Sequence, residues 1–143
     1  MRTAGSVEIG PVRWWPLGAL HLFIAVGAIA GGGVLVAWPD GSAMGMPVAM
    51  LQFSPFADFL MPGLLLLGVI GGGHLWAGIL VVRRAPGARL ASVAAGAALI
   101  VWIGVQVAMI RSAHWLHLLY FGLGVAVVVL AVRSRGSVRG AGR

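Results

Sequence analysis

The sequence predicts an all-α membrane protein, a four-helix transmembrane up-down bundle with an apolar extracytoplasmic interfacial loop or helix between helices 1 and 2. Three observations carry this prediction. Apolar residues make up 60% of the 143 residues and charged ones 9%, with a mean hydropathy of +1.01, a balance that belongs to membrane proteins. The charged residues fall in clusters, and the apolar runs between them have the length, about 20 residues, that a helix needs to span the hydrocarbon. The basic clusters alternate in a way that assigns a side to each end of every run.

The first run covers residues 14–38, opened by Arg13-Trp14-Trp15-Pro16 and closed by Pro39-Asp40-Gly41, with tryptophan at both ends as membrane interfaces favour. It is too long for a removable signal peptide. The second covers 60–82 and stops at Arg83-Arg84-Ala85-Pro86-Gly87, the third covers 90–110, and the fourth covers 114–132. Residues 133–143 form a basic cytoplasmic tail, and the whole of 1–143 reads as a single membrane domain. Nine of the ten arginines (Arg2, Arg13, Arg83, Arg84, Arg89, Arg133, Arg135, Arg139, Arg143) fall on one side of these spans. Only Arg111 falls on the other, together with Asp40 and Asp58. The positive-inside rule then puts both termini of this multi-pass chain in the cytoplasm. Arginine as the sole basic residue, with no lysine or asparagine, points to a GC-rich bacterial genome and so to the inner membrane.

The short links at 84–89 and 111–113 force antiparallel neighbours. The first connection, from Pro39 to Asp58, is nearly as apolar as a span. Its Ser54-Pro55 pair reads as an N-cap followed by proline at the first helical position, with Pro62 bending the helix further on. A short interfacial or re-entrant element over the outer end of the bundle is expected.

The chain has no cysteine, which removes disulfide and thiol chemistry, thiolate metal sites and iron–sulfur clusters. The formal charge of +7 sits at the ends of apolar runs, so it addresses lipid and topology and calls for no nucleic acid. Arg133, Arg135, Arg139 and Arg143 are placed to meet anionic headgroups. The Gly-Gly-Gly triplets at 31–33 and 71–73 precede no Lys-Ser or Lys-Thr and lie inside spans, which excludes a phosphate loop. No span contains the carboxylate on which small four-span exporters rely.

Candidate chemistry is confined to two polar layers. In the inner layer, His21 lies about 10 Å inside Trp14 and His74 about 13 Å inside Arg83, at 1.5 Å per residue. Each sits on a stripe of small residues: Gly18, His21, Ala25, Ala28 and Gly32 on helix 1, and Gly63, Leu67, Gly71, His74 and Gly78 on helix 2. Such stripes are how membrane helices approach closely. Three roles suit this pair. One is a hydrogen-bonded tie between helices, another is axial ligation of haem b by two neutral imidazoles, and the third is a proton relay in a small transporter. The facing part of helix 3 is again small, residues 92–99.

The outer layer comprises Gln106, Arg111, His114, His117 and Tyr120, with Asp58 within reach of Arg111 as an ion-pair partner. Met44, Met46, Met50 and Met61 gather near His114 and His117. Thioether and imidazole are Cu(I) ligands, but methionine is equally an interfacial filler and no strict repeat is present.

Ser54-Pro55-Phe56, Phe59-Leu60, Pro62-Gly63, Trp102 with Gln106, and Leu119-Tyr120 give residues 54–124 a pattern that resembles a group of small bacterial four-span membrane proteins of no assigned function. The resemblance implies an architecture and no catalytic residues. The expected role is accordingly non-catalytic: an accessory or scaffold subunit, or a homo-oligomer packed through small-residue faces within the lipid bilayer.

Overall fold

Within hydrocarbon each backbone N–H and C=O must find its partner inside its own segment, so every apolar run has to be a helix. The structure, a computed structural model, describes residues 14–134, and Arg2, Arg13, Arg135, Arg139 and Arg143 lie outside the described residues. Among the described residues four helices have the length and hydropathy to cross a membrane: α1 (Trp14–Ala37), α2 (Leu60–Val82), α3 (Ala88–Ile110) and α4 (Trp115–Arg133). They run up and down in sequence order. The proximal end of the bundle is where α1 begins, α2 ends, α3 begins and α4 ends. The distal end carries the 38–59 connection and the Arg111–His114 link.

The packing is glycine-centred. The buried residues of α1 are Leu17, Gly18, His21, Ile24, Ala25, Ala28, Gly32 and Leu35, the predicted small-residue stripe widened by three aliphatic neighbours. On α2 the predicted Gly63, Gly71 and His74 are buried, joined by Pro62, Ile70, Ala77 and Val81. A Cβ added to Gly32 would lie 2.6 Å from the Leu67 amide nitrogen and 2.8 Å from the Gly63 carbonyl oxygen, and one added to Gly63 would lie 3.0 Å from the Gly32 oxygen. The backbones of α1 and α2 therefore touch. Helices α3 and α4 repeat the device, since a Cβ on Gly96 would meet the Gly124 oxygen at 3.0 Å and one on Gly124 the Gly96 oxygen at 3.2 Å. The bundle is two tight hairpins laid side by side.

Helix α2 is not uniform. It is α-helical over Leu60–Leu64 and Gly73–Val82 but π-wound over Leu65–Gly72, with bonds reaching one residue further than in an α-helix. Its start also differs from the sequence expectation. The Ser54 hydroxyl donates to the Leu51 carbonyl and accepts the Phe56 amide, so Ser54-Pro55 builds a turn and caps no helix. The helix begins six residues later at Leu60, whose amide donates to Asp58 Oδ1 at 2.9 Å. Pro62 then falls in the first turn, where its missing N–H costs nothing.

The connection before it holds two single 3₁₀ turns, Ser42–Met44 and Val48–Leu51. Gly41 reverses the chain at φ +75°, where a side chain would collide with the Met46 carbonyl and the Phe59 ring. The Phe59 amide donates to the Pro39 carbonyl at 2.8 Å and closes the loop at its base. Leu35, Leu51 and Phe59 form a small apolar core beneath it, flanked by Met46, Met50 and Phe56. This segment lies over the distal end of the bundle as a cap.

The glycine contacts fix a testable contrast. Gly32→Ala should lower the unfolding midpoint in detergent by the equivalent of about 1–3 kcal/mol, the usual cost of overpacking. Gly104→Ala, at a position with nothing within 4 Å of the added atom, should leave it unchanged or slightly raised. Thermal unfolding of both variants checks this, and equal midpoints would contradict the packing described.

Candidate functional site

The inner polar layer comes together in full. His21 on α1 and His74 on α2 face each other with Nδ1 to Nδ1 at 2.9 Å, ring centroids 5.0 Å apart and planes inclined at 49°. Ser92 on α3 completes the group, its Oγ lying 2.9 Å from His21 Nε2. All three side chains have zero exposure. Three helices are thus joined by two buried hydrogen bonds. Ser92 is the member that the sequence reading passed over. It is the one serine or threonine within residues 14–37, 60–82, 88–110 and 115–133, and that singularity was the available signal.

Either set of ring tautomers satisfies both contacts: Ser92 Oγ–H donating to His21 Nε2 with His21 Nδ1–H donating to His74 Nδ1, or His74 Nδ1–H donating to His21 Nδ1 with His21 Nε2–H donating to Ser92 Oγ. In both, His74 Nε2 has no hydrogen-bond partner among the described residues, although the Ala95 backbone, one turn beyond Ser92, adjoins the ring. Each interhelical bond of this kind contributes about 0.6–2 kcal/mol in a membrane.

Ligation of haem by His21 and His74 requires the opposite arrangement. Two metal–nitrogen bonds of about 2 Å on opposite faces of a ring would set the nitrogens about 4 Å apart with the macrocycle between them. Here the nitrogens are in direct contact, and the glycine spaces nearby are filled from α1. A Cβ on Gly78 would meet His21 Cβ at 3.1 Å and one on Gly71 would meet Ile29 Cγ1 at 2.7 Å. The pair as placed does not fit haem.

Above this cluster the bundle opens. Ala28, Ile70 and Leu99, each at most 3% exposed, form the floor of a cavity of about 550 Å³ that extends to the distal end. Its walls carry Trp102, Gln106, His117 and Tyr120, and Met44, Met46 and Met50 reach over it from the 38–59 connection. Four of the six outer-layer residues predicted from sequence therefore line one space: Gln106, His114, His117 and Tyr120.

The other two do not join them. Asp58 is engaged with the Leu60 amide, and the Arg111 guanidinium lies 4.0 Å above the Phe53 ring. The ion pair expected between Asp58 and Arg111 is replaced by a helix-start bond and a cation–π contact, because each charge finds a partner nearer in space. Arg111 itself ends α3 in the left-handed region at φ 51°, its amide donating to the Val107 carbonyl at 2.9 Å. His114 and His117 each engage one ring nitrogen locally too. They form a reciprocal cap on α4, with the His114 amide donating to His117 Nδ1 at 2.9 Å. In the connection, the Ser42 hydroxyl and then the Ser42 amide donate to Asp40 Oδ1 at 2.7 and 3.1 Å, which holds this carboxyl below its usual range. Met61 is exposed and stands outside the methionine group over the cavity. Among the described residues no three His, Asp or Glu side chains are grouped to hold a metal ion.

The cluster yields a second expectation. Ser92→Ala should cost about 1 kcal/mol of stability, and His74→Ala, which adds a void to the lost bond, about 2–4 kcal/mol. A double-mutant cycle on His21 and His74 should give a coupling of about 0.6–1.7 kcal/mol. Strict additivity in detergent unfolding would show that the two rings do not interact.

No family model, no curated protein and no solved structure matches the chain.

Proposed function

We propose that the protein is a non-catalytic scaffold or accessory subunit of the membrane, a rigid four-helix unit that packs with a copy of itself or with another membrane protein. The observation that carries this reading is how the buried polar groups are spent. Ser92, His21 and His74 bond to one another across three helices, which is the work of a tie, and their burial keeps substrate away. Helix packing supports the associating role. Gly32, Gly63, Gly96 and Gly124 are filled by neighbouring helices, whereas Gly68 and Gly72 on α2 meet nothing within 4 Å. A further helix can approach most closely where such small residues are open.

The same reading sets the protein in a bacterial inner membrane with both termini cytoplasmic, supported by the nine-to-one division of arginines. In this orientation the charges of Arg133, Arg135, Arg139 and Arg143 are available to anionic headgroups of the inner leaflet. The cap over the distal end is extracytoplasmic in this orientation.

Two measurements test the proposal. Differently tagged copies expressed together should co-purify in mild detergent, alone or with one stoichiometric partner, and Gly68→Leu with Gly72→Leu should abolish most of that association. A monomer carrying no partner at any detergent-to-protein ratio would refute it. For orientation, alkaline phosphatase fused after Arg143 should be inactive while a fluorescent protein at the same point is bright, and the reverse pattern would invert the topology.

A further inference from the structure

We propose that the distal cavity binds a membrane-soluble, uncharged amphiphile whose head group carries carbonyl acceptors. Three observations lead to it, and none depends on the scaffold reading.

The first is size and position. About 550 Å³ lies within the range of small-molecule sites, about 300–1,000 Å³. The space sits inside a helical bundle whose other half is filled. Its floor is wholly apolar, made by Ala28, Ile70 and Leu99, and its polar groups stand toward the distal end, where α4 begins and α3 finishes. That gradient matches a molecule with an apolar tail and a polar head.

The second is the character of the polar groups. Among the described residues no carboxylate, arginine or lysine lines the cavity, so its walls present no fixed charge to a charged head. What it offers is donors. His117 accepts the His114 amide on Nδ1, which leaves Nε2 as the ring position that donates. Trp102 is nine-tenths buried, and its indole N–H has no acceptor among the described residues. Among the described residues neither the Gln106 amide nor the Tyr120 hydroxyl enters a side-chain hydrogen bond. A buried donor without an acceptor costs about 1–3 kcal/mol, which a carbonyl oxygen on a ligand removes.

The third is a way in from lipid. Trp102 and Ile70 also line a second cleft of about 230 Å³, between α2 and α3, whose other walls include Val69, Val101 and Val105. These valines are exposed on helices that cross the bilayer, so the cleft faces acyl chains. Trp102 and Ile70 are the partition between lipid and cavity. The wall of α2 that includes Leu66 and Ile70 is the π-wound segment, a feature frequent at functional sites. At the distal mouth, Met44, Met46 and Met50 supply flexible side chains that adapt to an occupant.

Both an isoprenoid-type quinone and a glycerol ester have this chemistry, and the test separates them. The full-length protein in lipid nanodiscs is titrated with decylubiquinone in one arm and 1,2-dioctanoylglycerol in the other, while its unfolding midpoint is followed. A saturable rise is expected in at least one arm, and the responding arm identifies the head group. Gly31→Leu fills the cavity, since a Cβ there meets only Leu66 Cδ2 at 3.7 Å, and it should shift the half-saturating concentration at least tenfold upward. Gly104→Leu, on the open side of α3, should respond like the unaltered protein. Should Gly31→Leu not be recovered from membranes, Gln106→Leu and Trp102→Phe carry the comparison, each removing donors while keeping bulk, with a severalfold weakening expected. The proposal is overturned by no saturable rise in either arm, or by cavity variants that respond at the same concentrations as the unaltered protein.

Discussion

Lipid tails are as apolar as leucine, so nothing like water exclusion pushes these four helices together. Everything else in the structure follows from that constraint. What remains to hold the bundle is close contact between backbones and hydrogen bonds that have no competitor in hydrocarbon. The chain uses the first at Gly32 with Gly63 and at Gly96 with Gly124, making two hairpins. It uses the second at His21, His74 and Ser92, joining one hairpin to the other. The glycine contacts alone would leave two independent pairs, and the polar cluster alone would lack the proximity it needs.

The two devices are not spread evenly along the bundle axis. The histidines and serine lie toward the proximal end, where Val81, Ala88, Val127 and Ala131 fill the core. Toward the distal end the interior carries longer polar side chains and a cavity instead, and closure passes to the 38–59 connection with its own core of Leu35, Leu51 and Phe59. One end is thus fastened by interhelical bonds and the other by a separately packed cap. Local opening belongs to the second, because a cap held by few buried apolar contacts opens at lower free energy than a filled core.

Much of this was legible in the sequence. Composition and run length gave four helices whose ends agree with the structure within about two residues, because hydrocarbon thickness leaves little freedom in length. The small-residue stripes on α1 and α2 were legible because a side chain at Gly32 or Gly63 would collide with the neighbouring backbone and push the two helices apart. The depth of His21 and His74, counted from their flanking residues, brought them to one level. Ser92 was missed because a single hydroxyl has no periodicity. The Asp58–Arg111 pair was misjudged because opposite charge was weighed without the nearer partners that each found, the Leu60 amide and the Phe53 ring. The cavity had no sequence signal of its own. It is a property of how far four helices stand apart, and neighbours in sequence do not record that.

The π-wound stretch of α2 has a consequence of a different kind. A segment bonded i to i+5 holds more residues per turn than the α-helix on either side, so each of its residues turns the chain through a smaller angle. The π-wound residues 65–72 lie between the two closest contacts of the helix, Gly63 against Gly32 and His74 against His21. Their winding therefore sets how far the imidazole is rotated relative to the glycine contact.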